Sequence, residues 1–125
     1  ENIVVTVKVD GDSNGRIASV LESTLADLGL KITSPSESTA TYLFQGKVMM
    51  EPLKLDNKYE YARFVMDIDL IETSSGKILF PYTENGREAH VSYSEATQRA
   101  FRTMEDMLEK EFVPQFLEFL DTTTD

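Results

Sequence analysis

Hydrophobic and polar residues alternate in some stretches of the chain and recur every three or four places in others. The two periods predict the elements. Residues 3–9, Ile-Val-Val-Thr-Val-Lys-Val, are β-branched and turn polar at every second place, which predicts a strand. Residues 10–15, Asp-Gly-Asp-Ser-Asn-Gly, form a turn by composition. Ile17, Val20, Leu21, Thr24, Leu25 and Leu28 then keep the spacing of one helical face. This predicts a helix over residues 16–28, with Ser13 or Asn14 as its cap. Gly29 followed by Leu30 reads as a left-handed glycine stop closed by a hydrophobic contact. A short segment, Leu30 to Ile32, and a Ser/Pro/Glu loop over 33–38 lead onward.

Period two returns over residues 40–50. Ala40, Tyr42, Phe44, Gly46, Val48 and Met50 share one side, opposite Thr41, Gln45 and Lys47. Pro52 should end this strand or place its end at a sheet edge. Over residues 59–71, Ala62, Phe64, Met66, Ile68 and Leu70 oppose Arg63, Val65, Asp67 and Asp69. Thr73 to Gly76 reads as a hairpin turn. The returning strand, over 77–91, groups Ile78 with Phe80 and Tyr82, and Asn85-Gly86 reads as a bulge or break in it. From Ser94 onward, Ala96, Ala100, Phe101, Met104, Met107, Leu108, Phe112 and Phe116 make one stripe. The stripe predicts a long amphipathic helix over 94–120, kinked or restarted at Pro114 because proline has no N–H to donate.

The order is β-α-β-β-β-α. Three consecutive strands, each with one apolar side, predict a mostly antiparallel sheet with one covered face and one wet face. Two helices with apolar stripes supply the cover. The fold class is therefore α+β, a two-layer sandwich with two helices on one face. Residues 1–121 read as a single domain and 122–125 as a frayed polar tail.

Composition narrows the function. The 125 residues carry 12 Lys and Arg against 22 Asp and Glu, a net charge of −10. Nucleic-acid binding rests on clustered Lys and Arg, so no nucleic-acid partner is expected. The chain has no Cys, which excludes internal disulfides and thiolate chemistry, and its one His excludes a multi-His metal site. No apolar run approaches the ~20 residues of a membrane span. The chain opens at Glu1 without Met, so a processed product or an excised domain is expected, with any membrane contact made through a lipid anchor upstream.

Candidate chemistry is sparse. Asp10, Asp12 and Asn14, followed by Gly15, match the first half of a calcium loop. The second half fails, since Leu21 stands at the place of the closing glutamate and Glu22 comes one residue late. The loop reads more simply as a polar lead into the next helix. Asp67 and Asp69 share one side of a strand, about 7 Å apart, with no third ligand or nucleophile in view. His90, Glu88 and Ser92 lie on one side of a strand, an arrangement that does not bring nucleophile, base and oxyanion hole together. No catalytic residue, metal or cofactor is expected. Most methionines read as core filler, whereas Met49 shares a side with Lys47 and should be exposed. Glu95, Arg99, Arg102, Glu105, Asp106, Glu109 and Lys110 read as the solvated side of the last helix.

Two stretches resemble a known group. One is Leu21 to Ile32 followed by Ser38-Thr39-Ala40-Thr41-Tyr42-Leu43-Phe44-Gln45-Gly46-Lys47-Val48. The other is Val65 to Leu79, which carries Ser75-Gly76-Lys77-Ile78 and is followed by a helix with Ala96 and Ala100. Together they resemble bacterial envelope proteins that include the CsgG-like curli-secretion lipoproteins, the penicillin-binding-protein activator lipoprotein, a flagellar assembly periplasmic protein and the amino-terminal domain of TolB. LptE-like lipoproteins share the element order. Thr41 departs from the pattern, since an Asp is common at that place. The resemblance spans about residues 3–113 and implies a periplasmic or outer-membrane accessory domain without catalytic residues. Such a domain would dock to envelope proteins, with Arg63, Asp67 and Asp69 on the open sheet face, or a sheet edge, as the contact. A second expectation is a small ligand-binding module, either for calcium at residues 10–15 or for lipid or lipopolysaccharide in a gap between the layers.

Overall fold

In the computed structural model, which describes residues 3–34 and 40–123, the chain forms five strands. They are β1 (Val4–Asp10), β2 (Lys31–Thr33), β3 (Tyr42–Leu53), β4 (Glu60–Glu72) and β5 (Ile78–His90). One sheet holds them in the order β2-β1-β3-β4-β5. β1 is parallel to both its neighbours, while β3, β4 and β5 form an antiparallel meander. Helix α1 (Arg16–Asp27) joins β1 to β2. The chain then closes with α2 (Tyr93–Met107), a π-helical turn (Leu108–Phe112) and α3 (Val113–Thr123). The helices pack on one face of the sheet, and the α+β sandwich is the predicted one. The segment at Leu30 becomes a fifth, three-residue strand at the sheet edge. The Ser/Pro/Glu loop lies largely outside the described residues.

Local chemistry explains each boundary. Neither Ser13 nor Asn14 caps α1. The Asp12 carboxylate does so instead, with Oδ1 accepting from the Ile17 N–H at 2.9 Å and Oδ2 from the Ala18 N–H at 2.9 Å. A carboxylate there satisfies two orphan donors and faces the positive end of the helix dipole. At the other end Gly29 takes φ of 95°, and the Leu30 N–H donates to the Leu25 carbonyl at 3.1 Å, as the glycine stop requires. α2 starts at Ser92, whose Oγ accepts from the Glu95 N–H. The π turn ends at Phe112, two residues before Pro114. Proline cannot donate to the carbonyl four residues back, and the wider turn lets the helix continue past it. β3 runs through Pro52, pairing it with Ala62. Beyond Lys47 the strand has lost its β1 neighbour, so the proline sits where the sheet has an edge.

β5 departs from the prediction twice. Asn85-Gly86 is neither bulge nor break, because Val65 pairs Asn85 and Phe64 pairs Gly86 in unbroken register. The glycine makes room: a Cβ on it would lie 2.8 Å from the Phe64 ring. The irregularity lies at the start of the strand, where Leu70 pairs Phe80 but Ile71 pairs Ile78. Leu79 is the extra residue. A one-residue bulge reverses the alternation, so Leu79 turns toward the core and Ile78 is 51% exposed.

The core lies between sheet and helices. Val5, Ile17, Leu21, Leu25, Phe44, Met66, Ile68, Met104, Leu108 and Phe112 are wholly buried. Phe112 stacks on Phe116 at 5.6 Å and meets Phe44, Phe80 and Tyr82 edge-on, the arrangement aromatic quadrupoles favour. α1 is tied to α2 by Arg16, whose Nε and Nη2 donate to both oxygens of Glu105 at 2.8 and 3.2 Å and whose Nη1 donates to Gln98. Glu105 is thus a tie between helices rather than part of a purely solvated face. The salt bridge holds the Arg16 guanidinium above its ordinary pKa.

Candidate functional site

The open face of the sheet is built by period two. The residues between the core positions project away from the helices. Register sets them in rows across β3, β4 and β5: Gln45, Asp69 and Pro81; Lys47, Asp67 and Thr83; Met49, Val65 and Asn85; Glu51, Arg63 and Arg87. Arg63, Asp67 and Asp69 therefore lie on one surface, as their spacing implies, and each meets a neighbour there. Arg63 pairs with Glu51. Asp67 accepts from the Thr83 hydroxyl at 2.7 Å. Asp69 is held above the ordinary carboxylate pKa, because the sheet surface partly buries it and the charge of Asp67 lies nearby. Arg87 lies over the Tyr61 ring at 5.6 Å. Among these charges Met49 stands 52% exposed, as its side of the strand predicts. The outer edge of β5, 13 residues long, has no strand beside it among the described residues.

The other candidates do not assemble into reactive sites. Ser92 Oγ is taken up in capping α2 and donates to Glu95 Oε2 at 3.1 Å. Glu88 accepts from the Thr103 hydroxyl at 2.8 Å. His90 Nδ1 accepts the Val91 N–H at 2.9 Å and lies 3.3 Å from Glu95, not Glu88. In the 10–15 loop the Asp12 oxygens hold the start of α1, and Asp10 lies 3.4 Å from the Gln45 amide nitrogen. No group of three or more His, Asp or Glu among the described residues is placed to hold a metal ion.

A gap between the layers does exist, at the end of the sandwich where β1, β3 and β5 begin. Its volume is about 410 Å³, and Leu30, Tyr42, Phe44, Leu79, Phe116 and Phe119 line it. The hydrophobic pattern of the chain does not locate this gap. Phe119 and Leu120 continue past the end of the predicted stripe, and Leu79 enters only through the bulge. The lining is mostly aromatic and aliphatic, without methionine.

No family model matches the sequence, and no curated protein matches it significantly. Solved structures do share the fold. A minor lipoprotein from Acinetobacter baumannii superposes with a TM-score of 0.62 at 12% identity, covering 88% of this chain and 87% of its own. A protein from Xanthomonas campestris gives 0.63 at 13% identity, covering 97% and 87%. The rare lipoprotein B of Shewanella oneidensis gives 0.55 at 10% identity, covering 95% of each chain. The chain thus has a fold that bacterial lipoproteins adopt over nearly their whole length. No helix among the described residues is long and apolar enough to cross a membrane.

Proposed function

We propose that this chain is a non-catalytic accessory domain of the bacterial envelope that docks a protein partner on the open face of its sheet. The observation that carries the reading is that face itself. Helices cover only one side of the sheet, and the uncovered side presents Met49 and Val65 among Lys47, Glu51, Arg63, Asp67 and Asp69. A modest apolar centre with a charged rim is the composition of a transient interface. The envelope location rests on the shared fold with lipoproteins and on the resemblance of residues 21–48 and 65–79 to envelope accessory domains. The non-catalytic reading is supported by the engagement of Ser92 in a helix cap and of Glu88 and His90 in hydrogen bonds. The unpaired edge of β5 offers a second contact by strand addition. A net charge of −10 favours a basic patch on the partner and salt-sensitive association.

Site-specific photocrosslinking in the producing bacterium tests this. A photoreactive residue at Met49 or Asn85 is expected to trap a discrete partner, whereas one at Glu22, on α1, is not. A scan in which Glu22 crosslinks and the sheet positions stay silent would refute the docking face.

A further inference from the structure

The gap at the end of the sandwich has the properties of a ligand site. Its volume, about 410 Å³, lies within the ~300–1,000 Å³ range of small-molecule pockets. The walls are Leu30, Tyr42, Phe44 and Leu79 from the sheet side and Phe116, Phe119 and Leu120 from α3. The mouth carries apolar surface that faces water: Ile3 is 41% and Ile78 is 51% exposed. Packed interiors leave few voids larger than a water molecule, so an apolar gap of this size open at one end is a departure to be explained. The polar residues that line it are Lys77, from the β4–β5 hairpin, and Thr123, from the end of α3. The Lys77 amine forms no ion pair among the described residues. It brings a cation to the edge of an apolar cleft in a chain of net charge −10.

We infer that this cleft binds one aliphatic chain that ends in an anionic head group, with the hydrocarbon between the sheet and α3 and the head group at Lys77. A methylene group is about as large as a water molecule, whose share of liquid volume is ~30 Å³, so the cleft holds on the order of a dozen carbons. That is one acyl chain and not two. A free fatty acid and a lysophospholipid both present this chemistry. The cleft lies at one end of the sandwich, away from Met49, so its occupant and the docked protein do not compete for the same residues.

The test is calorimetric titration of the folded chain with octanoate, decanoate and dodecanoate below their micelle concentrations. Lysophosphatidylglycerol and dodecanol form two further arms. Affinity is expected to tighten about fourfold per added methylene. Tighter binding of dodecanoate than of lysophosphatidylglycerol would identify the free acid as the source, and the reverse order the lysolipid. Lys77→Glu should weaken dodecanoate at least tenfold and leave dodecanol unchanged. Leu120→Trp, which fills the cleft, should abolish binding. Thr123→Trp, at the exposed mouth, should weaken it without touching the core. Affinity that is flat along the series, or indifferent to both tryptophans, would overturn the proposal. Equal loss of the acid and the alcohol on Lys77→Glu would overturn the assignment of the head group.

Discussion

The two faces of the sheet come from the same strands and were made for different ends. On the covered face of β4, Ala62, Phe64, Met66 and Ile68 are at most 1% exposed. One residue along in each case, Arg63, Val65, Asp67 and Asp69 reach water or its edge. The covered face is held by apolar burial and ring packing, where each side chain has many neighbours. The open face is held by pairs, Arg63 with Glu51 and Asp67 with Thr83, where each side chain has one or two. Stability therefore resides almost wholly on one side of the strands, and the other side contributes little to it. Substitutions should separate the two.

The largest effect belongs to the covered face. Phe64→Ala removes a buried ring that rests on Gly86. It should destabilise the fold by about 3–5 kcal/mol, as other buried Phe truncations do, and urea denaturation reads this directly. Next comes the tie between the helices. Arg16→Ala breaks a two-pronged salt bridge that is about one-quarter exposed on each side. A loss of about 1–2 kcal/mol is expected, and a loss near zero would place α1's stability in its apolar face alone. Exchanging both open-face carboxylates, Asp67→Lys with Asp69→Lys, sets lysines beside Lys47. The cost should nevertheless stay within about 1 kcal/mol, because water screens such pairs.

The smallest effect has the opposite sign. The folded-state pKa of Asp69 is raised above 3.8. Between that value and the raised one the folded chain holds a proton that the unfolded chain has released, so stability falls as pH climbs through the window. Asp69→Asn should therefore stabilise the protein at pH 7, by less than about 1 kcal/mol. The gain should vanish as pH drops below 3.8. Melting curves at several pH values show whether the gain follows that course.

Most of the sandwich was legible because strong period-two and helical patterns leave few choices of face. Ala62 to Leu70 and Ala96 to Phe116 fell on the core side as their spacing requires. Three features were not legible: two depend on which strands are neighbours, and the third on the tight turn ahead of α1. Gly86 is a glycine because Phe64 stands opposite it, a fact of register. The bulge at Leu79 exchanges the roles of Ile78 and Leu79 and has no local signature. The cap of α1 comes from Asp12, three residues ahead of Gly15, since the tight turn at Asn14 and Gly15 folds the carboxylate back over the first N–H groups. Arg63, Asp67 and Asp69 were placed on one face correctly, but their pairings with Glu51 and Thr83 follow from which strands are neighbours. The cleft under α3 was invisible for the same reason: a gap is a property of three packed elements.

The docking role of the open face is tested most directly by one binding measurement. The partner trapped at Met49 is purified and titrated calorimetrically against the wild-type chain and the Asp67→Lys, Asp69→Lys variant, after both are shown to melt alike. Affinity is predicted to fall at least tenfold in the variant, and the wild-type affinity to weaken as salt is raised. Equal affinity for the two folded chains would contradict the account.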